Sequence, residues 1–140
     1  MEIAGMKNGL VIDHITAGRG LKVLEHLRID VTKERVALIM NTESKKHGRK
    51  DIIKLENMMD VDFTVLGIVD RHVTVNVIEN GKRLAKHKMT LPQKVTDVIK
   101  CKNPRCVTSI EDEPHVFHLM DDEGKYRCEY CDHIIAVYQE

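Results

Sequence analysis

The four cysteines of this chain fall in two short stretches, and no cysteine precedes residue 101. CKNPRC (101–106) holds Cys101 and Cys106, and CEYC (128–131) holds Cys128 and Cys131. The pattern is Cys-x4-Cys, 21 residues, then Cys-x2-Cys. Two turns that each offer two thiolates can close a tetrahedral shell around Zn2+ without strain. A segment of about 45 residues buries too little apolar surface to be stable alone, and a bound metal supplies the missing folding free energy. Reduced cysteines in a β core, or two disulfides, fit the pairing less well. A core cysteine has no reason to come in pairs, and disulfides are rare in cytosolic proteins. Four thiolates leave no open position for water, so the expected role is structural, with one Zn2+ per chain.

Charge divides the chain in the same way. The formal net charge is zero, but residues 1–95 carry 17 Lys+Arg against 12 Asp+Glu, and residues 96–140 carry 5 against 10. The split predicts a basic domain over 1–95 and an acidic, cysteine-bearing domain over 96–140, with different partners. At 42% hydrophobic the 140 residues can bury a core, and with 4% aromatics and no Trp that core is aliphatic. No apolar run approaches the ~18 residues of a membrane span. The opening MEIAGMKNGLVIDHI lacks a signal-peptide pattern. These features predict a soluble, cytoplasmic protein without a membrane partner.

Apolar periodicity predicts the order of elements. GLVIDHI (9–15) reads as a strand, GRGLKVLEHLRI as an amphipathic helix with Leu21, Leu24 and Leu27 on its stripe, and RVALIM (35–40) as a buried strand. NTESKKHGRK (41–50) reads as a polar basic loop. DIIKLEN (51–57) and DVDFTVLGIVDR (60–71) fit helix or strand. HVTVNVIEN alternates as a strand, and Asn80–Gly81 turns it into a second one. This order matches an α+β, ferredoxin-like split βαβ antiparallel sheet with two helices. PQKVTDVIK (92–100) reads as a connector, possible as a helix. HVFHLM and KYRC around DDEG read as a hairpin, and IIAVY (134–138) as a last strand of a small zinc-bound β domain.

The basic half offers anion ligands. Gly18 and Gly20 shape a turn into the helix whose backbone N–H groups could meet a phosphate, though neither the third glycine of G-x-G-x-x-G nor a Walker pattern is present. Lys50 and Lys54 share one side if their segment is a strand. Lys82, Lys86 and Lys88 share a parity, which puts Arg83 on the other face. Such lysines could gather a triphosphate or nucleic-acid phosphates, or could equally protect an edge strand. Asp13 and His14 could act as an acid–base pair, but neighbours on a regular strand point to opposite faces.

GLVIDHI, HGRKDIIKLEN, TVNVIEN, TLP and the cysteine spacing, in this order, resemble the regulatory chain of aspartate carbamoyltransferase across nearly the whole sequence. The resemblance implies a nucleotide-binding allosteric domain of α+β fold and a zinc domain that docks on the catalytic chain. It implies no catalytic activity, and homodimers, three of which join two catalytic trimers. The effectors it implies are CTP and ATP, with UTP acting together with CTP. By the same resemblance, Asp13 and His14 lie near ribose and triphosphate, and Lys50 and Lys54 near ribose and phosphate. Asn76 and Ile78 lie near base and phosphate, Lys86 meets phosphate, and Ile3, Ala4, Gly5 and Met6 present backbone to the base. The four cysteines match the zinc ligands. The chain departs from the enterobacterial pattern at Ala4, where an acidic residue occurs, at Gly81, where a tyrosine occurs, and at Arg83, where an apolar residue occurs. Lys102, Asn103 and Pro104 also stand in place of Cys-Pro-Asn.

The polar Cys101–Cys106 loop, held at both ends by metal, places Lys102, Asn103 and Arg105 at the expected partner interface. A nucleic-acid-binding zinc ribbon is the rival reading. The acidic balance of residues 96–140 has the wrong sign for a polyanion, so no nucleic-acid partner is expected.

Overall fold

The computed structural model describes residues 6–45, 48–58, 61 and 65–138. Ile3, Ala4 and Gly5 lie outside the described residues. The chain divides into two units, Met1–Met89 and Thr90–Glu140.

The first unit runs β1 (Gly9–Thr16), α1 (Gly20–Leu27), β2 (Val36–Ser44), β3 (Gly48–Glu56), α2 (Leu66–Val69), β4 (Thr74–Glu79) and β5 (Lys82–Lys88). Its sheet has the order β2-β3-β1-β4-β5, with every neighbouring pair antiparallel. β3 is inserted between β1 and β2, which the helix connects, and this is the expected split βαβ arrangement. The two ambiguous segments resolve by burial. DIIKLEN forms β3, its Ile52, Ile53 and Leu55 all fully buried, and the second segment supplies the short α2.

One face of the sheet packs on the helices. Leu10, Ile12 and Ile15 of β1, Ile53 and Leu55 of β3 and Val75 of β4 meet Val23 and Leu27 of α1 and Leu66 of α2. The buried stripe of α1 is therefore Val23–Leu27 with Leu24 beside it, and Leu21 is 55% exposed. An i, i+4 pair faces the core more squarely than a run of three-residue steps, which drifts around a 3.6-residue turn. At Gly20 an added Cβ would come within 2.9 Å of both Asp51 Oδ2 and Leu38 Cδ1, so the bare backbone is what lets α1 start against the sheet.

The loop expected over residues 41–50 is corrected. β2 continues to Ser44 and β3 begins at Gly48, with Thr42 opposite Lys50 and Glu43 opposite Arg49. Polar residues occupy this end because β2 is the sheet edge and its tip is in solvent, which removes the apolar signal of a strand. The Asn80–Gly81 turn is as expected, with both residues at positive φ (53° and 77°).

The second unit contains β6 (Lys94–Thr96), α3 (Val107–Ile110), β7 (Val116–Leu119), β8 (Lys125–Cys128) and β9 (Ile134–Ala136), in a sheet ordered β6-β7-β8-β9. The connector over residues 92–100 is corrected as well. Lys94–Thr96 pairs with Val116–His118 as a strand, so the units part before residue 95 rather than after it. A charge average over ninety residues cannot locate a boundary more finely than this. The core here is small: Phe117 and Tyr126 are fully buried, Val95 lies opposite Phe117 on the neighbouring strand, and Tyr126 donates its hydroxyl to the Pro92 carbonyl at 2.7 Å. The DDEG turn closes as expected. The Asp121 carboxylate accepts the Glu123 and Lys125 amides at 2.9 and 3.1 Å, which holds its pKa below the usual value.

Candidate functional site

The sheet face away from the helices carries most of the residues singled out in the first unit. On β4, Val75 packs in the helix-side core, so Thr74, Asn76 and Ile78 point the other way. Across the strands, Lys54 pairs with Val11, Val11 with Asn76, and Asn76 with Lys86. Residues directly opposite share a face. Lys54, Asn76 and Lys86 thus form one row, spanning about 14 Å at the usual strand spacing. Next to it lies an apolar bed of Met6, Val11, Ile52 and Ile78.

Asp13 and Lys50 stand at the polar end of this face. The Lys50 ammonium meets Asp13 Oδ1 at 3.0 Å, and Lys50 is only 7% exposed. Burial pushes the Asp13 carboxyl up, but the Lys50 ammonium and the His14 amide outweigh it and hold its pKa below the ordinary value. The positive charge of Lys50 is therefore matched within the protein. Among the described residues, Lys86 and Lys88 of β5 make no ion pair.

Asp13 and His14 do not take opposite faces, and this expectation is corrected. The register shifts between Ile12 and Ile15, both of which remain in the helix-side core, and His14 adopts a φ of 60°. A bulge has added one residue. The His14 ring reaches Thr74 Oγ1 at 2.9 Å, on the open face, while its amide donates to Asp13 at 2.7 Å. With Asp13 held by Lys50 and the His14 ring at Thr74, the two do not form a nucleophile–base pair.

A second bulge re-sorts β5. Val77 pairs with Ala85 but Ile78 pairs with Arg83, so Leu84 is the extra residue. Arg83 therefore joins Lys86 and Lys88 on the open face, and Lys82, opposite Glu79, leaves it. Parity along a strand fixes the face only while the pleat is unbroken, and nothing in GKRLAKHK marks the bulge.

The glycine turn before α1 is not an open anion site. Asp51, fully buried on β3, accepts the Gly18 and Gly20 amides on Oδ2 at 2.9 and 2.8 Å and the Asn41 amide on Oδ1 at 2.7 Å. The carboxylate sits where a phosphate would, at a helix N-terminus.

In the second unit the four cysteine Sγ atoms lie within 4.8 Å of one another. Two contacts cross between the two pairs: Cys101–Cys131 at 3.6 Å and Cys106–Cys128 at 3.8 Å. A tetrahedron with Zn–S bonds of ~2.3 Å has edges of about 3.8 Å, whereas a disulfide is about 2.05 Å. The cysteines are free, and the cluster fits one structural zinc ion. Local backbone contacts shape the two turns. In the first, the Asn103 carboxamide oxygen accepts the Arg105 amide at 3.1 Å, and the Asn103 carbonyl accepts the Cys106 amide and the Ser109 hydroxyl. In the second, Cys128 accepts the Asp132 amide at 3.0 Å and donates to the His133 carbonyl at 2.9 Å. In the protein matrix alone the thiols differ. Burial pushes Cys101 up to about 12, and the Thr108 hydroxyl at 3.1 Å brings Cys106 down to about 7. A divalent cation is what allows four such neighbours to be thiolates together.

A chain with a closed structural metal centre in one unit and a cationic sheet face in the other is built to bind and regulate rather than to catalyse. The family model described as aspartate carbamoyltransferase regulatory chain, allosteric domain, matches residues 1–90, and the one described as its metal binding domain matches residues 93–138. The chain belongs to this family of non-catalytic regulatory chains of a pyrimidine-biosynthesis enzyme. It is 54% identical over 138 residues to a regulatory chain from Clostridium botulinum, covering 97% of this chain and 94% of the relative. It is 51% identical over 143 residues to that of Clostridium tetani (100% and 99% covered) and 50% over 134 residues to that of Bifidobacterium longum (94% and 96%). Among the described residues no helix is long and apolar enough to cross a membrane.

Proposed function

We propose that the open face of the first sheet binds nucleoside triphosphates of the CTP and ATP type, with UTP joining CTP, as allosteric effectors. The observation that carries this reading is the row Lys54–Val11–Asn76–Lys86. It combines an apolar bed for a base with cations for phosphate, and it contains Asn76 Oδ1, a buried acceptor without a partner among the described residues. Such an atom costs roughly 1–3 kcal/mol unless something donates to it. Asp13, His14 and Lys50 would meet ribose and phosphate, Ile78 and Met6 the base, and Lys86 the phosphates. Ile3 and Gly5 are assigned to the base by family resemblance alone. Removing the Lys86 charge should cost on the order of 1–3 kcal/mol, about 5- to 150-fold in affinity. Calorimetry with CTP and ATP on Lys86→Ala measures this. Unchanged affinity for both would leave β5 as a solvated edge and reject the reading.

The second unit, stapled by zinc, would dock on the catalytic chain in the cytoplasm, and homodimers of the regulatory chain would join catalytic trimers. Lys102 and Arg105 are exposed, while Asn103 spends its side-chain oxygen inside the loop. The double variant Lys102→Ala, Arg105→Ala is expected to weaken assembly with the catalytic chain by about tenfold, as for two rim charges, and to keep one zinc per chain. Gel filtration of the mixed subunits with metal analysis tests this; full assembly would remove this loop from the interface. The nucleic-acid reading keeps no support, because the excess of acidic residues over 96–140 repels a polyanion before any thiolate is counted.

A further inference from the structure

We infer that Arg83 selects among nucleobases at the open face, favouring those whose edge presents two adjacent acceptors, as cytosine and guanine do, over adenine and uracil. The inference rests on the nucleotide reading of that face and adds a residue and a preference to it. The bulge at Leu84 brings Arg83 opposite Ile78, and Ile78 is part of the apolar bed with Met6, Val11 and Ile52. Arg83 therefore stands at the apolar end of the face, whereas Asp13, Lys50 and the His14 ring mark the polar end. A base seated on the bed would place its edge toward β5 at this row, and the phosphates would run toward Lys86 and Lys88.

The chemistry of the guanidinium then sets the preference. It is planar, charged at every relevant pH, and offers a fork of donors with no acceptor. Among the described residues Arg83 makes no ion pair, and it is exposed, so its fork is not committed to a carboxylate. Guanine offers O6 beside N7, and cytosine offers O2 beside N3, which a fork can engage at two points. Adenine sets its amino donor beside N7 and beside N1, and uracil sets an N–H between its carbonyls. A fork of donors meets a donor in both cases and retains at most one bond.

The test is calorimetry of the full chain with CTP, GTP, ATP and UTP, in the wild type and in Arg83→Leu, Arg83→Lys and Lys86→Ala. Arg83→Leu should weaken CTP and GTP by about tenfold, the scale of one bidentate contact, and change ATP and UTP by less than about twofold. Arg83→Lys keeps the charge without the fork and should recover less than half of that loss on a logarithmic scale. Equal weakening of all four nucleotides would place Arg83 on the phosphates and overturn the inference, as would no change in any. If the wild type bound none of the four, the nucleotide reading itself would fall. If Lys86→Ala weakened binding while Arg83→Leu did not, only the role of Arg83 would fall.

Discussion

Cys128→Ser is expected to unfold the second unit while the first sheet persists. Cys128 is fully buried, it ends β8, and its Sγ lies 3.8 Å from Cys106 Sγ. The magnitudes decide the outcome. A structural zinc contributes roughly 10–16 kcal/mol of apparent binding free energy in small modules. A whole domain has a net stability of only about 5–15 kcal/mol. A unit whose fully buried large side chains include Phe117 and Tyr126 but few others cannot replace that contribution by packing. Limited proteolysis should cut the variant within residues 90–138 and leave the first unit resistant, and metal analysis should find well under one zinc per chain. A chelator on the wild type should reproduce the cleavage pattern and added Zn2+ should reverse it, which separates metal loss from any defect of the serine itself. A Cys128→Ser chain that kept one zinc and remained resistant would show that the module stands on its core alone.

The metal centre was legible in the sequence because its information is local. Two thiolates within six residues and two within four define turns whatever the fold around them. The split βαβ order was legible for a similar reason, since strand and helix periods repeat within each segment. Facing was harder to read. Among the described residues three strands carry irregularities, between Ile12 and Ile15, between Ile39 and Thr42, and between Val77 and Ile78 on the β5 side. Each adds a residue and reverses the parity of everything beyond it. Asn41, at a φ of 59°, and His14, at 60°, are both of residue types enriched in the left-handed region, but the type alone does not mark a bulge. Leu84 gives no signal at all, yet it decides which of Lys82 and Arg83 reaches the open face. The polar tip of β2 and β3 was invisible for another reason: an edge in solvent needs no apolar residues to be a strand. Asp51 was invisible because a buried carboxylate within GRKDIIK looks like one more surface charge until its backbone donors, up to 33 residues away, are known.

Asp51→Ala is expected to destabilise the first unit by about 3 kcal/mol or more, the largest effect of any single side chain there outside the apolar core. The carboxylate accepts three amides from two separate segments: Gly18 and Gly20 at the start of α1, and Asn41 at the irregularity of β2. α1 has no side-chain cap of its own at Arg19, so Asp51 acts as its cap from across the sheet. Removal leaves the buried Gly20 amide unpaired and two further donors to find water, at about 1–3 kcal/mol for each group that fails. In a unit of this size each kcal/mol lowers Tm by roughly 4–8 °C, so a fall of at least about 12 °C is expected. Asp51→Asn should fall between the wild type and Asp51→Ala. Its single carbonyl oxygen can still serve Gly18 and Gly20, but its amide nitrogen meets the Asn41 N–H donor to donor. The alanine variant also exposes a bare helix N-terminus, a site for small anions. Phosphate or sulfate at tens of millimolar should therefore raise the Tm of Asp51→Ala more than that of the wild type, whose own carboxylate fills the place. Thermal unfolding followed by circular dichroism measures both effects. A Tm loss of only a few degrees, or an equal anion response in both proteins, would mean that the amides at the start of α1 do not depend on Asp51.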